Sequence, residues 1–238
     1  MIRLLLFVAS TIAMTTACGQ PDYEAERQAL VEELRLESRV AEEYGAPPLS
    51  ETVLESIGKV PRHEFVPSSQ QHLAYRNHPL PIGAGQTISQ PYIVALMTQL
   101  ADVSTDETVL EIGTGSGYQA AVLAGLVDHV YTIEIVEFLG LRATQDLARL
   151  GYDNVTVRIG DGYAGWPEHA PFDAIVVTAA PDEVPQPLID QLKVGGTMVI
   201  PVGGEYEVQT LKRLVKGADG SLEENNIIPV RFVPLTRD

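Results

Sequence analysis

The stretch Val109-Leu110-Glu111-Ile112-Gly113-Thr114-Gly115-Ser116-Gly117-Tyr118 decides the fold. Val109, Leu110 and Ile112 read as a buried strand, which runs into three alternate glycines and then a helix. Glycine lets the backbone turn sharply and lets a ligand approach without an obstructing Cβ. The helix N-terminus adds amide donors for an anionic or polar ligand end. The spacing is G-x-G-x-G, not the G-x-G-x-x-G of dinucleotide sites. Alone it is weak evidence, because any tight strand-to-helix turn can use glycine.

Outward from this turn, strand, loop and helix alternate. Strand-like runs cover residues 108–112, 129–133, 155–159, 174–178 and 197–201, and helix-like runs cover 118–126, 137–150 and 184–192. Such alternation implies a parallel sheet with helices on both faces. Residues 209–216 and 227–233, joined across Ala218-Asp219-Gly220, read as an antiparallel hairpin closing one sheet edge. Upstream, residues 25–44 carry Leu30, Leu34 and Val40 among charges, an amphipathic helix pattern stopped by Gly45 and Pro47-Pro48. Ser50 suits the N-cap of a second helix, 51–57, and Pro91 suits the first turn of a third, 92–100. Residues 62–90 are punctuated by Pro and Gly and show little periodicity. A loop that long inside a domain is usually functional. The fold class is therefore α/β: a Rossmann-like, doubly wound, mostly parallel sheet with an antiparallel C-terminal edge and N-terminal helices.

The chain has 238 residues, with 16 Lys and Arg against 32 Asp and Glu, a formal net charge of −16. That excess of acid argues against a nucleic-acid partner, which needs a basic footprint. It also argues against docking on anionic lipid by charge alone. With 45% hydrophobic and 20% charged residues the composition is globular rather than disordered. Cys18 is the only cysteine, which rules out an intramolecular disulfide and a cysteine-rich metal site. The five histidines show no close metal-type pairing, so no metal is expected. No exposed apolar helix stands out, and a monomer is expected.

Two further elements accompany the glycine turn. Glu134 ends the strand Val130-Tyr131-Thr132-Ile133, 21 residues after Gly113, where an acid can accept both hydroxyls of a ribose. Gly160-Asp161-Gly162 follows the next strand, although a carboxylate between two glycines also suits a simple turn. The three elements lie in order at three successive strand ends, where open α/β sheets bind ligands. The G-x-G-x-G spacing, with an acid just before it, resembles class I S-adenosylmethionine-dependent methyltransferases. The resemblance implies S-adenosylmethionine as cofactor, bound by Glu111, Gly113, Thr114, Gly115, Ser116, Gly117, Glu134, Asp161 and Gly162. It places Asp161, or the amide beside it, at the adenine amino group.

Other motifs are narrower. Val60-Pro61-Arg62-His63-Glu64-Phe65-Val66-Pro67, Pro79-Leu80-Pro81-Ile82-Gly83 and Gly85-Gln86-Thr87-Ile88-Ser89-Gln90-Pro91 precede the glycine turn. Thr178-Ala179-Ala180, Gln191-Leu192-Lys193-Val194-Gly195-Gly196, Ile200-Pro201-Val202-Gly203 and Phe232-Val233-Pro234-Leu235 follow it. From about residue 29 to 235 the set resembles the protein-L-isoaspartate O-methyltransferase family. The resemblance implies methylation of the free α-carboxylate of isoaspartyl residues in damaged proteins and peptides. The ester then collapses to a succinimide that can reopen as normal aspartate. A carboxyl with a reference pKa of about 4 is already anionic at neutral pH, so no strong base is needed. The protein's task is mainly positioning. The resemblance makes Ser89 the catalytic residue, its hydroxyl orienting the carboxylate. It sets Gln86, Thr87, Ile88 and Thr178 beside the substrate and Gln209 near the cofactor. Ser89 also suits the N-cap of the following helix. Tyr75-Arg76-Asn77 departs from the Tyr-x-Asp that family members often carry, and so loses a charge. Two other readings stay open: a methyltransferase for another carboxylate acceptor, and a catalytically weak tethered binding module.

The N-terminus has its own pattern. Met1-Ile2-Arg3 precedes an apolar run to Met14, and Thr15-Thr16-Ala17-Cys18-Gly19 follows. A positive start, a short apolar stretch and small residues before a break read as a secretory signal. The run is too short to span a bilayer stably. Small residues directly before a lone cysteine resemble the bacterial lipoprotein signal, in which the cysteine becomes the lipidated first residue. Thr15 departs from that pattern, which prefers an apolar residue there. The alternatives are an ordinary signal peptide cut nearby and a hydrophobic N-terminal helix of a cytoplasmic protein. The expected organisation is a signal peptide at 1–17, a lipid-anchored tether at 18–28 beginning with Cys18, and the methyltransferase domain at 29–235. The protein would then be exported and held on the periplasmic side of a bacterial membrane by its lipid alone, or stay cytoplasmic if the signal is not used.

Overall fold

The computed structural model describes residues 21–204 and 207–237. Helix α1 (Tyr23–Glu42) starts where the Asp22 carboxylate accepts the Ala25 N–H at 3.0 Å. That start lies inside the stretch expected as a tether. Residues 23–28 are helical body rather than linker, and Tyr23 stacks on His63 with ring centroids 3.9 Å apart. Cys18 and the leader before it lie outside the described residues. Helix α2 (Glu51–Lys59) has the expected cap, the Ser50 hydroxyl accepting the Val53 N–H. Helix α3 (Pro91–Ala101) opens on proline and is buried almost all round, as a helix enclosed by other elements must be.

The stretch 62–90 holds more structure than its lack of periodicity suggests. Two 3-10 turns, Arg62–Phe65 and Ser68–Leu73, lead into a hairpin of β1 (Leu80–Gly83) and β2 (Gln86–Ile88). The hairpin is a two-stranded sheet of its own. It brings Ile82 Cδ1 to 3.6 Å from where a Cβ on Gly115 would sit, so it lies over the glycine turn.

The main sheet has seven strands in the order β5-β4-β3-β6-β7-β8-β9. They are β3 (Thr108–Ile112), β4 (His129–Glu134), β5 (Val155–Ile159), β6 (Phe172–Val177), β7 (Leu192–Val202), β8 (Gln209–Lys216) and β9 (Leu222–Val230). Strands β3 to β7 pair in parallel, and β8 and β9 close the edge antiparallel, as the patterning implies. The connecting helices are α4 (Tyr118–Ala124), α5 (Glu137–Arg149) and α6 (Gln186–Gln191). Several boundaries move. Strand β7 begins at Leu192 rather than at residue 197. Strand β9 begins at the polar run Leu222-Glu223-Glu224-Asn225-Asn226, which pairs with β8 while Glu223 to Asn226 stay exposed. Helix α6 waits for Pro185, its N-cap.

Alternate residues of β3 and β6 feed opposite faces. Val109 and Val176 join the core beneath α1 to α4, whereas Leu110, Ile112, Ile175 and Val177 join the core with Trp166, Phe172 and Leu188. Burial on both faces is why apolar residues follow one another at Val109-Leu110 and from Ala174 to Val177 instead of alternating with polar ones. From β3 the chain winds outward through β4 and β5, then returns to β6 and winds the other way. The connections diverge at the carboxyl ends of β3 and β6, which opens a crevice there.

Asn77 ties α1 to the start of α3. Its Oδ1 accepts the Tyr92 N–H at 3.0 Å and its Nδ2 donates to Glu37. Burial pushes the Glu37 carboxyl up, and the Asn77 bond opposes that rise. An aspartate here would keep the acceptor but set two carboxylates together. Asn77→Asp should cost about 1–2 kcal/mol at neutral pH. The cost should shrink in acid, where Glu37, with its raised pKa, takes up a proton. Urea unfolding at pH 7 and pH 5 checks this, and equal costs at both would contradict it.

Candidate active site

Gly113, Gly115 and Gly117 adopt φ values of 94°, 53° and 88°, a region that side chains with a Cβ disfavour. At Gly113 a Cβ would also sit 2.6 Å from Thr178 Oγ1. The turn is held from both sides. The Gly113 and Thr114 N–H groups donate to the Ile133 carbonyl at 2.8 and 3.2 Å. Thr178, just past β6, donates its N–H to the Ile112 carbonyl at 2.8 Å and its hydroxyl to the Gly113 carbonyl at 2.6 Å. The Thr178 proton is thus committed to the turn.

Glu134, at the end of β4, is buried, yet it lines the cavity that opens beside the turn. Its Oε2 accepts the Gly115 N–H at 2.7 Å and its Oε1 accepts the Val136 N–H at 2.9 Å. A carboxylate offers about four lone-pair positions. Each oxygen therefore keeps room for one more donor, which is what a ribose diol requires. Gly113, Thr114, Gly115, Ser116 and Gly162 form the floor of the same cavity, and Gln86, Thr87, Ile88 and Ser89 flank it from the hairpin side. These residues fit a nucleoside with a polar tail.

A second cavity adjoins the first. Both are lined by Thr87, Ser89, Thr178 and Val233, which therefore mark the junction between them. Ser89 does not cap α3. The cap position is Gln90, and no side chain caps the helix there. The Ser89 carbonyl instead accepts Arg62 Nη2 at 2.8 Å. Arg62 is fully buried, donates Nε to the Ala74 carbonyl at 2.9 Å, and lies 4.7 Å over the Tyr118 ring. Burial pulls its guanidinium down to about 10, still charged at neutral pH.

Four expected cofactor residues stand elsewhere. Glu111 is fully buried and does not line the cavity. Its Oε2 is 2.5 Å from Thr132 Oγ1, which is 2.7 Å from Thr114 Oγ1, so it acts on the turn through two hydroxyls. Burial pushes its carboxyl up to about 8. Gly117 shapes the turn as the left-handed N-cap of α4 without reaching the cavity. Asp161 serves its own loop. Its Oδ1 accepts the Tyr163 N–H at 2.8 Å and its Oδ2 is 3.5 Å from Arg237 Nε, while Gly162 beside it lines the cavity. Gln209 spends both ends of its amide on Phe232, accepting its N–H at 2.6 Å and donating to its carbonyl at 3.1 Å. It thereby clamps the segment from Phe232 onward. That segment pairs with Ala180 through the Val233 carbonyl and Leu235 N–H, both at 2.8 Å. Val233, Pro234, Leu235 and Thr236 then close the first cavity. The Phe-Val-Pro-Leu motif was the sequence signal for that wall. Tyr118 and Gln119 also line the cavity and carry no separate signal.

A doubly wound sheet with a glycine turn after β3, a diol-accepting acid after β4 and a cavity at the switch point defines a class I methyltransferase. The model of the protein-L-isoaspartate(D-aspartate) O-methyltransferase family matches residues 26–238. A relative from Polaromonas sp. called protein-L-isoaspartate O-methyltransferase 2 is 62% identical over 208 residues, covering 87% of this chain and 96% of its own. One of the same name from Syntrophobacter fumaroxidans is 54% identical over 235 residues, covering 98% and 95%. A solved protein-L-isoaspartate O-methyltransferase aligns with TM-score 0.73 at 31% identity, over 86% of this chain and 65% of that one. A putative Plasmodium falciparum homologue, solved in complex with S-adenosyl-L-homocysteine, shares the fold at TM-score 0.75 and 24% identity, over 89% and 99%. The chain belongs to the protein-L-isoaspartate(D-aspartate) O-methyltransferase family. Its cofactor is S-adenosylmethionine.

The buried Glu111 has a pH signature. The unfolded carboxyl loses its proton at its ordinary value, the folded one only near about 8. Stability should therefore fall as pH rises through that window, because the unfolded state binds fewer protons there. Glu111→Gln should flatten the fall. Urea unfolding of both proteins from pH 5 to pH 8 reads the difference, and parallel curves would contradict a raised pKa.

Proposed function

We propose that the chain carries out its family's reaction at the junction of the two cavities, with Ser89 orienting the acceptor. The enzyme is an S-adenosylmethionine-dependent protein carboxyl methyltransferase that methylates the free α-carboxylate of isoaspartyl residues and so starts their repair. The observation that carries the placement is the lining shared by both cavities, Thr87, Ser89, Thr178 and Val233.

The cofactor supplies an activated methyl group. Glu134, the glycine turn and the wall at Val233 to Thr236 would hold it. The acceptor carboxylate is ionised at neutral pH, with a reference pKa of about 4, so the chain need not remove a proton. What remains is positioning, which supplies at most about 7–11 kcal/mol. Ser89, half-buried and not used as a helix cap, can donate its hydroxyl to one carboxylate oxygen and leave the other unpaired. A carboxylate paired at both oxygens would be a poorer nucleophile. Thr178 holds the turn and cannot also donate to the acceptor. Ile88 is buried and helps exclude water.

Two peptides that differ only in one aspartate linkage test this reading. Base-labile label from S-adenosylmethionine should appear on the isoaspartyl peptide alone. Ser89→Ala should lower kcat on the order of 10²-fold, as expected for lost orientation, with cofactor affinity unchanged. Label on neither peptide, or on both alike, would overturn the assignment.

We propose further that the protein is exported and lipid-anchored through Cys18. The support is the leader pattern and the single cysteine placed directly after small residues. Wild type should fractionate with membranes and be released by detergent, and Cys18→Ala should release it without detergent. Equal membrane association of both would contradict the anchor.

A further inference from the structure

The second cavity carries a charge that the methylation chemistry does not use. Arg231 lines it together with Pro229, Val230 and Phe232, and does not line the first cavity. Arg231 therefore belongs to the part of the second cavity beyond the Ser89 and Thr178 junction.

Its surroundings set it apart. From β3 onward every Lys and Arg other than Lys216 and Arg231 holds a carboxylate among the described residues. Lys216 gives its ammonium to the carbonyls of Ile189 and Leu192. Arg231 is exposed and has no such partner among the described residues, in a chain with 32 acids against 16 bases. Its backbone is nonetheless firmly placed, because the next residue, Phe232, is clamped at both N–H and carbonyl by Gln209. A guanidinium with no carboxylate partner among the described residues, on a fixed support and in the lining of a cavity, is suited to a planar carboxylate. The reacting α-carboxylate is a poor candidate for that pairing. It must lie at the junction, and a bidentate guanidinium would occupy the oxygens it reacts through.

We infer that Arg231 reads an acidic side chain of the substrate next to the isoaspartyl residue and gives the enzyme a preference for acidic flanking sequence. The inference rests on the second cavity being the acceptor site. The net charge of −16 repels acidic peptides at long range. Within about a Debye length, roughly 8–10 Å, the local cation decides the sign.

The test uses three isoaspartyl peptides that differ only in one flanking residue, Glu, Gln or Lys. Two readouts are taken: kcat/KM for methyl transfer, and peptide affinity for the protein saturated with S-adenosylhomocysteine. Wild type should favour the Glu peptide over the Lys peptide by about 3- to 10-fold at low salt, less at high salt. Arg231→Glu should reverse that order, and Arg231→Gln should abolish it. No preference in wild type, an unchanged order in Arg231→Glu, or an equal loss for all three peptides would overturn the role. Should no peptide be methylated by wild type, the placement of the reaction fails, and the binding order still decides whether Arg231 reads charge.

Discussion

The site depends on one buried cation. Arg62 has no solvent exposure, and a buried charge is costly unless polar partners surround it. Its partners come from three separate stretches: the Ala74 carbonyl, the Ser89 carbonyl and the face of Tyr118. Tyr118 directly follows Gly117, so the guanidinium ties the segment bearing Ser89 to the glycine turn. Hydrogen bonds to a charged group are worth about 1.5–3 kcal/mol each. Losing any of the three contacts would leave the buried charge less well compensated.

Around that cation the sheet supplies the rest. Divergence of the chain at β3 and β6 opens the crevice. Bonds from Ile133, Glu134 and Thr178 fix the glycine turn in it. Gln209 performs the matching task on the opposite wall, where it pins Phe232, the neighbour of Arg231, and hence the segment that closes the first cavity. Positioning is the enzyme's main contribution, because its acceptor arrives ionised. The structure accordingly spends its buried polar groups on holding backbone rather than on acid–base chemistry.

The reading from sequence succeeded where a residue's type fixes its use. Alternate glycines suit a turn with positive φ, and Glu134, which as an acid at a strand end could also have been solvated, lines the crevice. The consecutive apolar residues of β3 and β6 follow from burial on both faces. Uses that depend on a hydrogen-bond partner elsewhere in the fold are not legible from residue type and spacing. Gln209 looked like a ligand-facing amide, but its partner is Phe232. Asp161 accepts the Tyr163 N–H of its own loop, while Gly162, whose amide was the other expectation, lines the cavity. Glu111 reaches the turn only through Thr132 and Thr114, a relay that spacing cannot reveal. The hairpin β1–β2 escaped notice because strands of four and three residues are too short to show a period. Arg62 escaped because an arginine is expected at the surface.

A structure of the protein with S-adenosylhomocysteine and an isoaspartyl peptide tests the central claim most directly. The account predicts the α-carboxylate at the junction, within hydrogen-bond distance of Ser89 Oγ, with the peptide running through the second cavity. A carboxylate seated away from Ser89, or a peptide lying outside that cavity, would contradict it.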